Sequence, residues 1–215
     1  MNLINKRTQE LSLLSKDDID NLAAHFDASK PYHTKNGMKK VYPDFGKNLI
    51  ESIVNLEGYQ WIGGNFYEHT HPYFPHVDKH KMQEGNMMVM VIPIRYTGRM
   101  PNLIIFDQEY HQGPYTWLMD WERSEGSEIS KFDTNKMGRE NYPALSDITN
   151  KTDKPIPLNL ATELDMYPKE MLHGLSGKSH SFRPGNVIMF DGVRIHATSK
   201  LEGPKLGLTL RYTKK

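Results

Sequence analysis

The sequence predicts a mainly β protein of the double-stranded β-helix (jelly-roll) class with N-terminal bracing helices. Three observations carry this expectation. Segments rich in β-branched and aromatic residues run from Tyr59 to Phe106, the same texture returns from Asn186 to Thr213, and helical patterns are few after the first quarter of the chain. A chain of 215 residues is long enough to bury one sizeable core, and all-β barrels of this size commonly remain one domain. One domain is therefore expected over 1–215, with a helical part at 1–57, core strands at 58–106 and 181–215, and an insertion at 107–180.

The elements follow in order. Ser15 with Asp18 three residues on resembles a capping box, and Ile19, Leu22, Ala23 and Phe26 then share one helical face. A second helix is expected after Pro43-Asp44, with Leu49, Ile50, Ile53 and Val54 as its apolar stripe and an end near Gly58. Strands are expected in YQWIGGNFY, NMMVMVIPIRY, NLIIF, NVIMF and KLGLTLRYT. The run from Met87 to Val91 reads as a strand buried on both faces rather than a methionine ligand cluster, since methionine fills core gaps well. The insertion is rich in proline and charge; it is either a lid or substrate platform, or a peripheral segment packed on the barrel edge. Its Tyr110, Tyr115, Trp117 and Trp121 either stack on a substrate or anchor the segment.

Composition excludes several classes. A net charge of +1 gives no general pull toward nucleic acid or acidic membranes. The absence of cysteine removes disulfides, zinc-thiolate sites and cysteine nucleophiles, so a metal must be held by nitrogen and oxygen. The first fifteen residues lack the apolar stretch of a signal peptide, and the longest apolar run, Met87 to Ile94, is too short to span a bilayer. A cytoplasmic protein without a membrane partner is expected.

The chemistry-bearing pattern is His76-Val77-Asp78 followed far downstream by His196, Lys205 and Arg211. Side chains two apart on a strand share a face, so His76 and Asp78 can chelate one ion, with His196 as the third ligand after the Asp191-Gly192 turn. Two imidazoles and a carboxylate on one face of an octahedral ion leave positions for a chelating cosubstrate and O₂. A second His-x-Asp, His25-Phe26-Asp27, lies in the first helix, where positions two apart diverge; it reads as a solvated face. His69 and His71 offer an alternative, a histidine-rich site with His76 in which Asp78 is not a ligand. His80, His111, His173 and His180 carry no motif.

On the last strand Lys205, Gly207, Thr209, Arg211 and Thr213 share one face, while Leu206, Leu208, Leu210 and Tyr212 share the other. If the cationic face lines the metal pocket, it suits a dianionic cosubstrate such as 2-oxoglutarate. The bland alternative is an edge strand blunted by exposed Lys and Arg.

These segments together, Asn65-Phe66-Tyr67 through Asp78 and Asn186 through Arg211, resemble the Fe(II)/2-oxoglutarate-dependent oxygenases. The spacing is nearest the AlkB-type nucleic-acid demethylases and is also similar to the prolyl-hydroxylase branch; the matching segments cover roughly a quarter of the chain. The resemblance implies a cupin-like fold, Fe(II) on His76, Asp78 and His196, and 2-oxoglutarate contacted by Asn65, Tyr67, Lys205 and Arg211. It places Lys205 on the distal carboxylate and Arg211 nearer the metal-binding end, although other branches use an arginine placed like Arg211 as the distal anchor. AlkB-type enzymes have arginine where this chain has Lys205, the prolyl-hydroxylase branch has lysine, and the interval from His196 to Lys205 is shorter than in AlkB-type enzymes. No basic nucleotide-recognition lid is visible, so nucleic-acid demethylation is not carried over.

The implied reaction is that of a dioxygenase: hydroxylation or oxidative demethylation of an unidentified peptide, metabolite or nucleobase, with 2-oxoglutarate and O₂ converted to succinate and CO₂. Asp78 argues against a halogenase. Two other classes are weighed beside it: a cupin-type metalloenzyme that does not use 2-oxoglutarate, with metal on His69, His71, His76 and His196, and a non-catalytic jelly-roll binding module.

Overall fold

A computed structural model describes residues 8–35, 37–73, 75–78, 87–110, 148–167 and 169–215. Its major sheet has seven strands in the order β1-β9-β5-β11-β4-β3-β2. These are β1 (Thr8–Ser12), β2 (His33–Lys35), β3 (Met38–Val41), β4 (Tyr59–His69), β5 (Met87–Tyr96), β9 (Asn186–Asp191) and β11 (Lys205–Lys214). In the minor sheet, β6 (Asn102–Tyr110) pairs on one side with β10 (Arg194–Thr198) and on the other with β7 (Ile148–Thr149) and β8 (Gly177–Ser181). An isolated bridge between His76 and His196 adds the segment around His76 to the free side of β10. All described pairings are antiparallel, as the jelly-roll expectation requires.

Strand alternation sorts the core into layers. Met90, Ile92, Leu206, Leu208, Leu210, Tyr212 and Phe66 face outward from the major sheet and are covered by helices α1 (Lys16–Ala28) and α2 (Asp44–Ile53). Val89, Val91, Ile188 and Phe190 face inward and meet Leu103, Ile105 and Phe182 of the minor sheet. The outer face of the minor sheet, with Ile104, Phe106, Ile195 and Ala197, is covered by Leu160 of α3 (Leu158–Glu163), by Leu164, and by Leu172 of α4 (Lys169–Leu172). The leucines of β11 thus form one packed layer, which sends Lys205 and Arg211 toward the space between the sheets. β11 lies between β4 and β5, so it is not the edge strand of the bland alternative.

The capping box forms as expected: Ser15 Oγ accepts from the Asp18 backbone amide at 3.1 Å, and the Asp18 carboxylate accepts from the Ser15 amide at 2.9 Å. Helix α2 is shorter than expected and ends at Ile53. Its buried stripe runs through Gly46, Ile50 and Val54, whereas Ile53 is 40% exposed. The reason is the close seat of α2 on the sheet: a Cβ at Gly46 would come within 2.4 Å of Leu208 and 2.8 Å of Phe66, so the helix turns that glycine face inward. His25 and Asp27 are engaged rather than merely solvated. The His25 ring stacks on Phe45 at 4.6 Å, and Asp27 accepts two bonds from Arg95 at 2.6 and 2.7 Å.

β1 and the β2–β3 hairpin are additions to the expected strands. β6 continues to Tyr110, beyond the start expected for the insertion, and β8 pairs with β6 from within its far end. Tyr115, Trp117, Trp121, His80 and His111 lie outside the described residues.

Candidate metal and cosubstrate site

His76, Asp78 and His196 come together between the sheets with ligand atoms all within 4.8 Å of one another. The backbone sets this meeting. His76 and His196 exchange both amide-to-carbonyl bonds at 2.9 Å, and the Asp78 amide donates to the Gly192 carbonyl at 3.0 Å, so the two ligand segments are laced to each other and to the β9–β10 turn. The β10–β6 ladder shifts register between Arg194 and His196. Such bulges re-aim side chains beside functional sites, and this one leaves the Arg194 carbonyl 3.0 Å from His196 Nδ1. A carbonyl only accepts, so Nδ1 donates to it and Nε2 is the ring nitrogen left facing the site.

Asp78 is oriented in the same way. Arg211 donates to Asp78 Oδ1 from Nε at 3.1 Å and from a terminal nitrogen at 2.6 Å. The second oxygen, Oδ2, lies 3.5 Å from His196 Nε2. That gap is close to the roughly 3 Å that separates neighbouring ligands each about 2.1 Å from a metal. Burial pushes the Asp78 carboxyl up, but Arg211 and the two histidines outweigh it and hold the group well below the usual carboxylate range. The site therefore presents an ionised carboxylate oxygen, the form a metal requires.

The other expected residues lie on the neighbouring strands β4 and β11. Lys205 is 3% exposed; its Nζ donates to Thr198 Oγ1 at 2.8 Å and stands 4.8 Å above the Phe182 ring. No carboxylate among the described residues bonds it, and burial pushes its pKa down to about 7. Tyr67 is buried, hydrogen-bonded to the Thr209 side chain, and raised by burial above the usual phenol range. Asn65 is half-buried and donates to the Phe66 carbonyl at 3.3 Å. Arg211 sits on the metal side and Lys205 six residues away along the same face of β11, so the two cations stand at different ends of that face.

Gly207 lies between them. A Cβ there would come within 2.6 Å of the Tyr67 hydroxyl and 3.0 Å of Phe182, so the tyrosine reaches across the strand only because residue 207 has no side chain. Gly207→Ala should displace Tyr67 and Phe182 and destabilise the protein by about 1–3 kcal/mol, as overpacking does. Denaturant unfolding would measure this, and an unchanged midpoint would show that the ring moves freely.

The structure does not bring His69 and His71 into the ligand group. His71 Nδ1 lies 3.2 Å from Thr70 Oγ1, and the His69 ring is 6.4 Å from that of His71. Sequence reasoning missed Thr198, although its position two residues after His196 on one strand was a readable signal. His69, expected as a surface or hydrogen-bonded histidine or else as a metal ligand, is instead buried with its Nδ1 unpartnered.

No protein-family model matches the sequence, and no curated protein is significantly similar to it. Solved structures do match. The crystal structure of the epimerase SnoN in complex with Fe3+, alpha ketoglutarate and nogalamycin RO is 9% identical, with a TM-score of 0.54 over 97% of this chain and 79% of that one. The non-heme alpha ketoglutarate-dependent carbocyclase SnoK from nogalamycin biosynthesis is 10% identical, with a TM-score of 0.53 over 97% and 80%. HygX from Streptomyces hygroscopicus with nickel and 2-oxoglutarate bound is 9% identical, with a TM-score of 0.51 over 97% and 83%. The chain thus has the fold of the Fe(II)/2-oxoglutarate-dependent oxygenases, a jelly roll. The AlkB-type spacing expected from the sequence is not confirmed by these matches. No helix among the described residues is long and apolar enough to cross a membrane.

Proposed function

We propose that the protein is a non-heme Fe(II)- and 2-oxoglutarate-dependent dioxygenase that hydroxylates, or oxidatively demethylates, a peptide, metabolite or nucleobase substrate. The observation that carries this is Lys205: a buried ammonium beside a metal-ligand group, with no carboxylate among the described residues to neutralise it. An uncompensated buried cation is costly unless a ligand anion completes it. His76 and His196 supply ring nitrogens to the metal, and Asp78 supplies the oxygen that Arg211 leaves free. Lys205 and Thr198 hold the distal carboxylate, with Asn65 and Tyr67 along the body of the cosubstrate and Arg211 fixing Asp78 at the metal-binding end.

When bound, Fe(II) and 2-oxoglutarate supply O₂ activation for C–H oxidation, with succinate and CO₂ as coproducts. The chain itself orients both groups and, through the layer formed by Phe182, Phe190 and Ile188, keeps water from one wall of the site. The cupin-type alternative loses support because His69 and His71 stand apart from the ligand group. The matched proteins include an epimerase and a carbocyclase, so the fold leaves the fate of the oxidised carbon open. The test is uncoupled turnover: protein with Fe(II), ascorbate, O₂ and 2-oxoglutarate labelled at C1 should release labelled CO₂. The release should be lost in His196→Ala, and no release above that variant would contradict the proposal.

A further inference from the structure

His69 ends β4, two residues past Tyr67 and directly opposite Lys205 in the β4–β11 ladder. Strand alternation therefore places it on the face that carries Asn65 and Tyr67. Its side chain is 6% exposed, and its Nδ1 is buried with no hydrogen-bond partner. The ring is wedged between Tyr67, at 5.0 Å, and Tyr73, at 5.3 Å, and the Tyr73 ring in turn lies 4.5 Å from His76. Burial, together with the charge of Lys205, holds the imidazole neutral. A neutral imidazole carries one N–H donor, and Lys205 has spent one of its three on Thr198.

Two neighbouring buried groups thus keep unused hydrogen-bonding capacity, and one of them is a cation. Water could satisfy the hydrogen bonds but not the charge. A carboxylate does both, because its two oxygens accept about four hydrogen bonds and carry the opposite sign. A structural role would give the ring nitrogen a protein partner, and a metal role would place it in the ligand group; His69 has neither.

We infer that His69 is a specificity-determining residue for the cosubstrate, donating its ring N–H to one oxygen of the distal carboxylate while Lys205 and Thr198 hold the other. The inference rests on the proposed use of 2-oxoglutarate. It predicts that His69 selects 2-oxo acids ending in a carboxylate over those ending in a methyl group.

The test uses full-length protein loaded anaerobically with Fe(II) and titrated with 2-oxoglutarate or with 2-oxopentanoate, which lacks the distal carboxylate. Binding is followed by the visible charge-transfer band, with far-UV circular dichroism and melting temperature as controls for the fold. His69→Leu should raise the dissociation constant for 2-oxoglutarate at least about tenfold, the effect of losing a bond to a charged group. Its effect on 2-oxopentanoate should be under about twofold, and His69→Gln, which keeps a donor, should stay within about threefold of wild type. In a Lys205→Met background the same leucine change should cost less than it does alone, because both groups serve one carboxylate. If the leucine variant does not fold, His69→Phe, which keeps the ring contacts with Tyr67 and Tyr73, takes its place. Unchanged 2-oxoglutarate affinity, or equal weakening of both acids, overturns the role of His69 and leaves the proposed function standing. Failure of wild-type protein to bind 2-oxoglutarate at all overturns the proposed function and this inference with it.

Discussion

Asp78→Ala is expected to abolish Fe(II) binding and to destabilise the protein by about 3–5 kcal/mol, the usual result of removing one partner of a buried ion pair. Two separate functions of one carboxylate produce the two effects. Oδ2 faces His196 Nε2 in the ligand group, and Oδ1 accepts both donors of Arg211. Without Asp78 the metal loses its only anionic ligand in that group, and the guanidinium is left in a pocket where its partner is gone. The double variant Asp78→Ala with Arg211→Met separates the two. It should recover most of the lost stability, because no stranded charge remains, yet it should still bind no Fe(II). Urea unfolding and Fe(II) titration of wild type, Asp78→Ala, Arg211→Met and the double variant check this. A double variant as unstable as the single one would show that Arg211 stabilises through packing rather than through the pair.

The second large effect is expected at Lys205, with opposite signs for stability and for binding. Lys205→Met should weaken 2-oxoglutarate at least about tenfold, since a buried charge-assisted contact contributes about 1.5–3 kcal/mol. In the ligand-free protein the same change should be stabilising, because the methionine fills similar volume without a desolvated charge. The pH dependence follows from the depressed pKa of about 7 in the folded state against the ordinary 10.5. Below pH 7 both states bind the proton and the full cost of the buried charge is present. Between 7 and 10.5 the unfolded chain binds more protons than the folded one, so wild-type stability rises with pH and the advantage of Lys205→Met shrinks. Across that window the change amounts to several kcal/mol. Affinity for 2-oxoglutarate moves the other way and falls as pH rises above about 7, because the free protein loses the cation. Ligand-free unfolding at pH 6 and pH 9.5 measures the first effect and calorimetric titration the second. A wild-type stability independent of pH over this range would mean that Lys205 meets water or a counter-charge.

The legible parts of this protein are those in which local chemistry and tertiary context agree. The alternation of β11 was readable because one face is buried under α1 and α2 and the other lines the site, so both layers had to be specified at once. The capping box was readable because its bonds are local. The decoy at His25 and Asp27 was separable because a helix sends i and i+2 apart, whereas the expected strand at His76–Asp78 is only an isolated bridge between His76 and His196, and backbone bonds to His196 and Gly192 bring the two ligands together instead.

The parts that were not legible depend on partners distant in sequence. β1, with the polar sequence TQELS, has no strand texture of its own and becomes a strand because β9 offers a free edge. The β2–β3 hairpin, in charged HTK and MKKV, is recruited by the edge of β4 in the same way. Ile53 was misplaced because the inward face of α2 is set by a glycine contact, which a hydrophobic pattern does not register. Arg211 could not be separated from Lys205 by sequence, since both share a face; their partners, Asp78 for one and Thr198 for the other, distinguish them.

The most direct test of the proposed iron and 2-oxoglutarate site is an anaerobic titration of the metal-free protein with Fe(II) and then with 2-oxoglutarate, followed in the visible range. A saturable charge-transfer band is expected that reaches its limit at one equivalent of each and is absent in His76→Ala. Tight Fe(II) binding with no band would contradict the assignment of Lys205 and Thr198 to 2-oxoglutarate, and absence of Fe(II) binding would contradict the metal site itself.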